Sequence, residues 1–206
     1  MSETFSQADL EPSPADRRER RQDVLDRAAG TVGAIAAGVI AGGMLALGAC
    51  AAPAVFRIAP DPFSGTAMGE AFARFDRVAI GAAVIALGAE VMRTFLARSA
   101  RPRLGARIRR LVGIALAGCT AVMGLSLSPS IIELHLQGAR QGEGELGMQL
   151  KAIHERAETV GKLEVAFGFA LVGLHVFSVR GRREDEADDD VPAPLPPGPR
   201  SPEAAD

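Results

Sequence analysis

Residues 28–56 and 111–132 contain no charged side chain. Those two runs limit what this chain can fold into more than anything else in it. A helix crossing the roughly 30 Å hydrocarbon core of a bilayer needs about 20 apolar residues. Both runs reach that length, and two of them in a chain of 206 residues are hard to place in the core of a soluble domain. In hydrocarbon a segment must satisfy its own backbone polar groups, so such runs fold as helices. The chain as a whole is 48% hydrophobic with a formal charge of −2. Those averages suit a soluble domain only because polar ends dilute the apolar runs.

Two further spans complete an all-α integral membrane four-helix bundle. The sequence predicts spans at about residues 30–52, 78–97, 111–128 and 163–179. A polar tail (1–29) precedes them, with at most a short surface helix near Arg18–Ala28, and a disordered, acidic, Pro-rich tail (181–206) comes after them. Pro53, Pro60 and Pro62 should prevent a continuous helix after the first span, and Pro129 should end the third. Met68, Phe72, Phe75 and Ala79 recur at helical spacing, as one apolar stripe lying in the membrane interface. Leu146, Leu150, Ile153, Ala157 and Val160 form a similar run-in to the fourth span. Trp and Tyr are absent, so any interfacial aromatic belt falls to phenylalanines such as Phe56, Phe63 and Phe177.

Six arginines lie in residues 98–110, with Pro102 and Gly105 to break a helix there. This stretch reads as a short loop between the second and third spans. Together with the N-terminal segment and the Arg180–Arg183 flank it brings fourteen arginines to one side. The other two connections hold seven basic residues. Excess Lys and Arg stay cytoplasmic. An even number of spans therefore puts both termini and the arginine loop in the cytoplasm, with the inner membrane as the site. The strong preference for Arg over Lys hints at a GC-rich bacterial genome.

The first span is rich in small residues. Ala34, Gly38, Gly42 and Ala46 fall four apart, and Gly38–Gly42 is a GxxxG pattern suited to close helix packing, within the chain or in a homo- or hetero-oligomer. An alternative reading takes Leu47-Gly48-Ala49-Cys50 as the end of a cleaved lipoprotein signal. The apolar run is longer than such signals require, and more apolar residues come after Cys50.

No phosphate-cradling loop, dinucleotide fingerprint, metalloprotease helix or nucleophile elbow is present, so no enzymatic activity, cofactor or nucleic-acid partner is expected. Charged residues inside spans are the best functional pointers, because hydrocarbon penalises them. Glu90, Arg93, Glu164 and His175 are the candidates. Glu90 is expected to meet Arg93 or His175, and Glu164 to meet Arg77. Either these are structural pairs, with Arg93 snorkelling to the headgroups, or they line a proton or solute path. His135, His154 and Met148 are too sparse to predict a metal site. His154 and Glu158, four apart, suit a hydrogen bond.

The stretches APAVFRIAP and GEAFARFDRVAIG carry a resemblance to the small four-span membrane proteins similar to transmembrane protein 205, the class labelled domain of unknown function 4149. The matching positions are Phe56, Arg57, Pro60, Phe72 and Phe75. A second element is the segment Ile153-His154-Glu155-Arg156-Ala157-Glu158, where Ala157 stands in place of the family's serine. The resemblance spans about residues 30–180. It implies a four-helix membrane bundle and carries no particular activity. Two function classes remain open: a structural or partner-binding bundle, and a small transporter or transport accessory using Glu90, His175 and Glu164.

Overall fold

The computed structural model describes residues 13–60, 63–97 and 104–189. Its elements are helices α1 (Pro14–Leu45), α2 (Ala52–Ile58), α3 (Phe63–Leu96), α4 (Leu104–Val122), α5 (Ser128–Leu136) and α6 (Gly144–Asp189). Two π-helical segments, Ala46–Ala51 and Met123–Leu127, join α1 to α2 and α4 to α5. Four helical stretches are long and apolar enough to cross a membrane: Pro14–Ile58, Phe63–Leu96, Leu104–Leu136 and Gly144–Ser178. The molecule is an all-α membrane bundle of four spans. In it α1 packs on α3 and α6, and α4 packs on the same two helices. Helices α3 and α6 thus face each other across the centre.

The helices run further than the apolar runs alone suggest. Residues 14–29, expected as a polar tail, are the opening turns of α1. A reciprocal cap starts them: the Asp16 N–H donates to the Ser13 hydroxyl and the Ser13 N–H to the Asp16 carboxylate, with Pro14 in the first turn. Those hydrogen bonds hold the exposed Asp16 carboxyl below its usual range. Gly105 does not stop α4, which begins at Leu104 and takes in Arg107, Arg109 and Arg110. Residues 98–103 of the expected arginine loop lie outside the described residues, as do 190–206 of the expected C-terminal tail. Helix α6 itself continues to Asp189, into the segment expected to be disordered.

Proline does not break the helices at Pro53 or Pro129, whereas α2 does end at Ile58, just ahead of Pro60 as expected. Pro62 lies outside the described residues. Pro53 and Pro129 each sit just after a π-helical segment, in the first turn of α2 and α5. A proline in an α-helix has no N–H for the i−4 carbonyl, and its ring collides with that carbonyl. Here the turn before it is widened, with Ala52 N bonded to Leu47 O and Ser128 N to Met123 O. The helix passes through both prolines. Helix α5 ends instead at Leu136, two residues before Gly138, whose φ of 80° lies in the left-handed region. Gly138 N donates to His135 O and Ala139 N to Leu134 O, the paired bonds of a glycine C-cap.

The centre is built of small residues around three larger ones. Ala36, Ala37, Ile40, Ala79, Ala82, Ala83, Ala86, Leu116 and Leu171 form one buried cluster. Close approach depends on glycine at Gly168, where a Cβ would press on Ala41 and the Ala37 carbonyl, and at Gly43, where it would overlap the Phe75 ring. The stripe Met68, Phe72, Phe75 and Ala79 therefore turns into the bundle instead of lying along the interface: Met68 and Ala79 are buried and Phe75 packs on the core. Leu150 is fully buried in a second small cluster with Leu134 and Ala139. Large apolar side chains such as Ile35, Val84, Phe95, Ile114 and Phe169 face outward, as lipid contact requires.

Candidate functional site

Polar residues are buried in two layers. The first is drawn from all four long helices, each of which sends its polar side chain inward by ordinary helical spacing. On α4 the buried positions are Arg109, Gly113, Leu116 and Thr120. On α1, Asp26 precedes the buried Gly30, Gly33 and Ala37 on the same face.

Within this layer the contacts form a chain. Arg93 Nε lies 3.0 Å from Asp26 Oδ1, and Arg93 Nη2 lies 3.4 Å from both Asp26 Oδ2 and Ser178 Oγ. Arg93 Nη1 donates to His175 Nδ1 at 2.9 Å. A guanidinium has no acceptor, so His175 Nδ1 must offer its lone pair and the ring proton sits on Nε2. That nitrogen lies 3.4 Å from Glu90 Oε1, which also receives Arg109 Nε at 2.6 Å. At 3.4 Å the His175–Glu90 contact is electrostatic and not a well-formed hydrogen bond. The sequence of groups Asp26–Arg93–His175–Glu90–Arg109 pairs two carboxylates with two guanidiniums through one neutral imidazole. Two buried atoms of this chain of groups stay without a hydrogen-bond partner, Glu90 Oε2 and His175 Nε2.

The expected residues Glu90, Arg93 and His175 do come together, though Glu90 takes Arg109 as its charge partner. Arg93 points inward and does not snorkel: only 9% of its side chain is exposed. Asp26 and Arg109 complete the layer, and each comes from a segment that looks merely polar in sequence.

The second layer lies about 21 Å along α3 from the first, the rise of the fourteen residues between Asp76 and Glu90. Glu164 Oε1 is 2.6 Å from Thr120 Oγ1, which also sits 3.1 Å from Leu116 O. Asp76 neighbours Ser128. Arg77, expected to pair with Glu164, instead donates from the exposed surface to the Ala73 carbonyl. The chain carries that arginine one residue round the helix from Asp76, and so out of the bundle. Ile40, Leu116 and Leu171 are fully buried among the core residues between the layers.

The outer-loop residues do not converge on one site. Phe56, Arg57 and Pro60 are exposed at the end of α2 and beyond it. His154 Nδ1 contacts Leu150 O at 3.0 Å, and its ring meets His135 edge-on at a centroid distance of 6.1 Å. Glu158 pairs with Lys162 at 2.7 Å and not with His154. Four residues further along the helix, the lysine's flexible chain competes better for the carboxylate. Among the described residues no group of three or more His, Cys, Asp or Glu is placed to hold a metal ion. Gly38 and Gly42 have nothing of their own chain within reach of a Cβ. Two of the clearest surface hollows, at Pro14–Gln22 and Ala152–Val160, involve neither polar layer.

Fold and buried charge together define a multi-pass membrane helix bundle with an internally paired polar layer. Residues 35–140 match the family described as domain of unknown function (DUF4149), and the chain belongs to that family. The match runs from the middle of α1 past the end of α5, and so leaves out α6 with Glu164 and His175. No curated protein and no solved structure matches the chain.

Proposed function

We propose that this protein is a partner-binding helix bundle of the inner membrane, with both termini in the cytoplasm, and is neither an enzyme nor a solute carrier. The observation that carries this reading is the pairing of Asp26, Glu90, Arg93 and Arg109 among themselves. Such a layer has no charge left over to attract a solute, and it locks the four helices in register. Its Asp26 and the packed Ala37 and Ile40 come from α1, which argues against loss of the first span as a cleaved signal. The basic excess beside this layer supports a cytoplasmic placement of that end.

The partner surface in this reading is the outward face of α1 at Gly38 and Gly42, where a second copy of the chain, or another small-residue helix, can approach backbone to backbone. Energy transfer between differently labelled full-length chains in nanodiscs tests it. Transfer that is lost in Gly38→Leu/Gly42→Leu, with unchanged thermal unfolding, is the expected result. Absence of any self-association or co-purifying membrane partner would remove the reading. The second reading, a small transporter, draws on the unpartnered Glu90 Oε2. It requires Glu90→Gln to abolish a solute flux that the wild type supports in vesicles. The narrower likeness to transmembrane protein 205 adds no activity to either.

A further inference from the structure

The carboxyls of Asp76 and Glu164 are buried in the second layer, 5% and 1% exposed, and lie close enough to sense each other's charge. Each has an oxygen without a partner, Asp76 Oδ2 and Glu164 Oε2. The first layer balances two acids with two guanidiniums; here no cation is paired with either acid among the described residues. Arg77 is turned away to Ala73 O, and Lys162 is held by Glu158 on the surface. Among the described residues, the groups found beside the pair are uncharged. They are Thr120 and Cys119 of α4, Gly124 of the π-helical segment, Ser128 of α5 and Ile80 of α3, with Met44 of α1 beside Gly161 one turn before Glu164. Two ionised carboxylates in such a place would be among the costliest arrangements a membrane bundle can hold.

Hydrogen counting narrows the outcome. The Thr120 hydroxyl has one hydrogen and two oxygens in range, Glu164 Oε1 at 2.6 Å and Leu116 O at 3.1 Å. With Glu164 ionised, both are acceptors, and one contact would set lone pair against lone pair. With a proton on Glu164 Oε1, the acid donates to Thr120, and Thr120 donates to the Leu116 carbonyl in the usual i−4 manner of a helical threonine. Every hydrogen then has an acceptor.

We propose that Asp76 and Glu164 form a proton-binding site inside the membrane domain, with Glu164 carrying its proton as a carboxylic acid that donates to Thr120. The site is separate from the paired first layer and does not depend on the partner-binding reading. Its ligand is a proton and not a metal cation.

Infrared spectroscopy of the full-length protein in nanodiscs at neutral pH tests this. The expected spectrum holds a protonated-carboxyl C=O band that moves on transfer to deuterium oxide. The band is lost in Glu164→Gln, retained in Glu90→Gln, and shifted to higher frequency in Thr120→Val, where its hydrogen bond is gone. Sodium should leave it unchanged. A wild-type spectrum with no such band overturns the proposal, as does a band indifferent to Glu164→Gln. A band that disappears on addition of sodium would identify a cation site instead. Should Glu164→Gln not fold, the Thr120→Val shift decides, and its absence overturns the proposal.

Discussion

Glu90 and Arg109, the latter one of the six arginines of residues 98–110, stand nineteen residues apart yet meet at 2.6 Å with both side chains at least nine-tenths buried. The contact clamps α3 to α4, and it holds Glu90 against His175 of α6. In a low-dielectric interior the two charges depend on each other, because neither has water to turn to.

Removing one of the two should therefore hurt more than removing both. Arg109→Gln leaves the Glu90 carboxylate buried without its guanidinium and should cost about 3–5 kcal/mol. Glu90→Gln/Arg109→Gln should recover most of that loss, since two neutral amides of similar shape can hydrogen-bond. Thermal unfolding in detergent, run as a double-mutant cycle, measures the difference. Equal destabilisation in single and double variants would mean that the pair is not coupled.

Asp26 is the residue whose removal separates this architecture from one with a free N-terminal tail. It holds Arg93 at 3.0 Å, with 15% of its own side chain exposed. Asp26→Ala leaves Arg93 with only the neutral His175 and Ser178. A loss of about 1–3 kcal/mol is expected, as for a charged hydrogen-bonding group left unsatisfied. Arg21→Ala, at an exposed position of α1, should stay within about 0.5 kcal/mol, as surface substitutions do. Unfolding midpoints of the two variants compared side by side check this.

What the sequence makes legible tracks the cost of burying charge. Glu90, Arg93, Glu164 and His175 stand out because each interrupts an apolar run. Asp26 and Arg109 hide because each sits among other charges, where one more looks like solvated surface. Their signal was periodicity: Arg109, Gly113, Leu116 and Thr120 repeat at helical spacing, and so do Asp26, Gly30, Gly33 and Ala37. That spacing also separates the buried glycines from Gly38 and Gly42, which lie on another face of α1. The passage of helices through Pro53 and Pro129 had no such signal, since it rests on π turns that no residue type announces.

Glycines on the two faces of the bundle should respond differently to a side chain. At Gly168 an added Cβ meets the Ala37 backbone carbonyl at 3.2 Å as well as Ala41, and backbone cannot swing aside. Gly168→Val should cost about 1–3 kcal/mol through overpacking, or prevent assembly of the bundle. At Gly38 an added Cβ meets nothing in its own chain, so Gly38→Ala should leave the unfolding midpoint of the monomer unchanged. Thermal unfolding in detergent separates the two, and a tolerated Gly168→Val would show that α1 and α6 pack less closely than these contacts require.

The two π-helical segments differ in what holds them, so their prolines should differ in effect. Segment Ala46–Ala51 buries no residue. Segment Met123–Leu127 has Met123 buried and Gly124 set against Asp76 and Ile80, while α5 beyond it is pinned through Leu134 to Leu150. Removing the extra residue from a π turn rotates the helix beyond it by about 100°, the angle per residue of an α-helix. Around Pro129 that rotation would pull Leu134 off its cluster; around Pro53 it displaces no fully buried residue, since α2 holds none. Pro53→Ala should therefore let residues 46–51 relax to an α-helix, and Pro129→Ala should keep its π turn, each within about 0.5 kcal/mol of wild type. Backbone carbon shifts and amide exchange of the two segments report the hydrogen-bond pattern directly. The reverse result, with Pro129→Ala relaxing and Pro53→Ala unchanged, would make the proline ring the cause of the wide turn and packing a bystander.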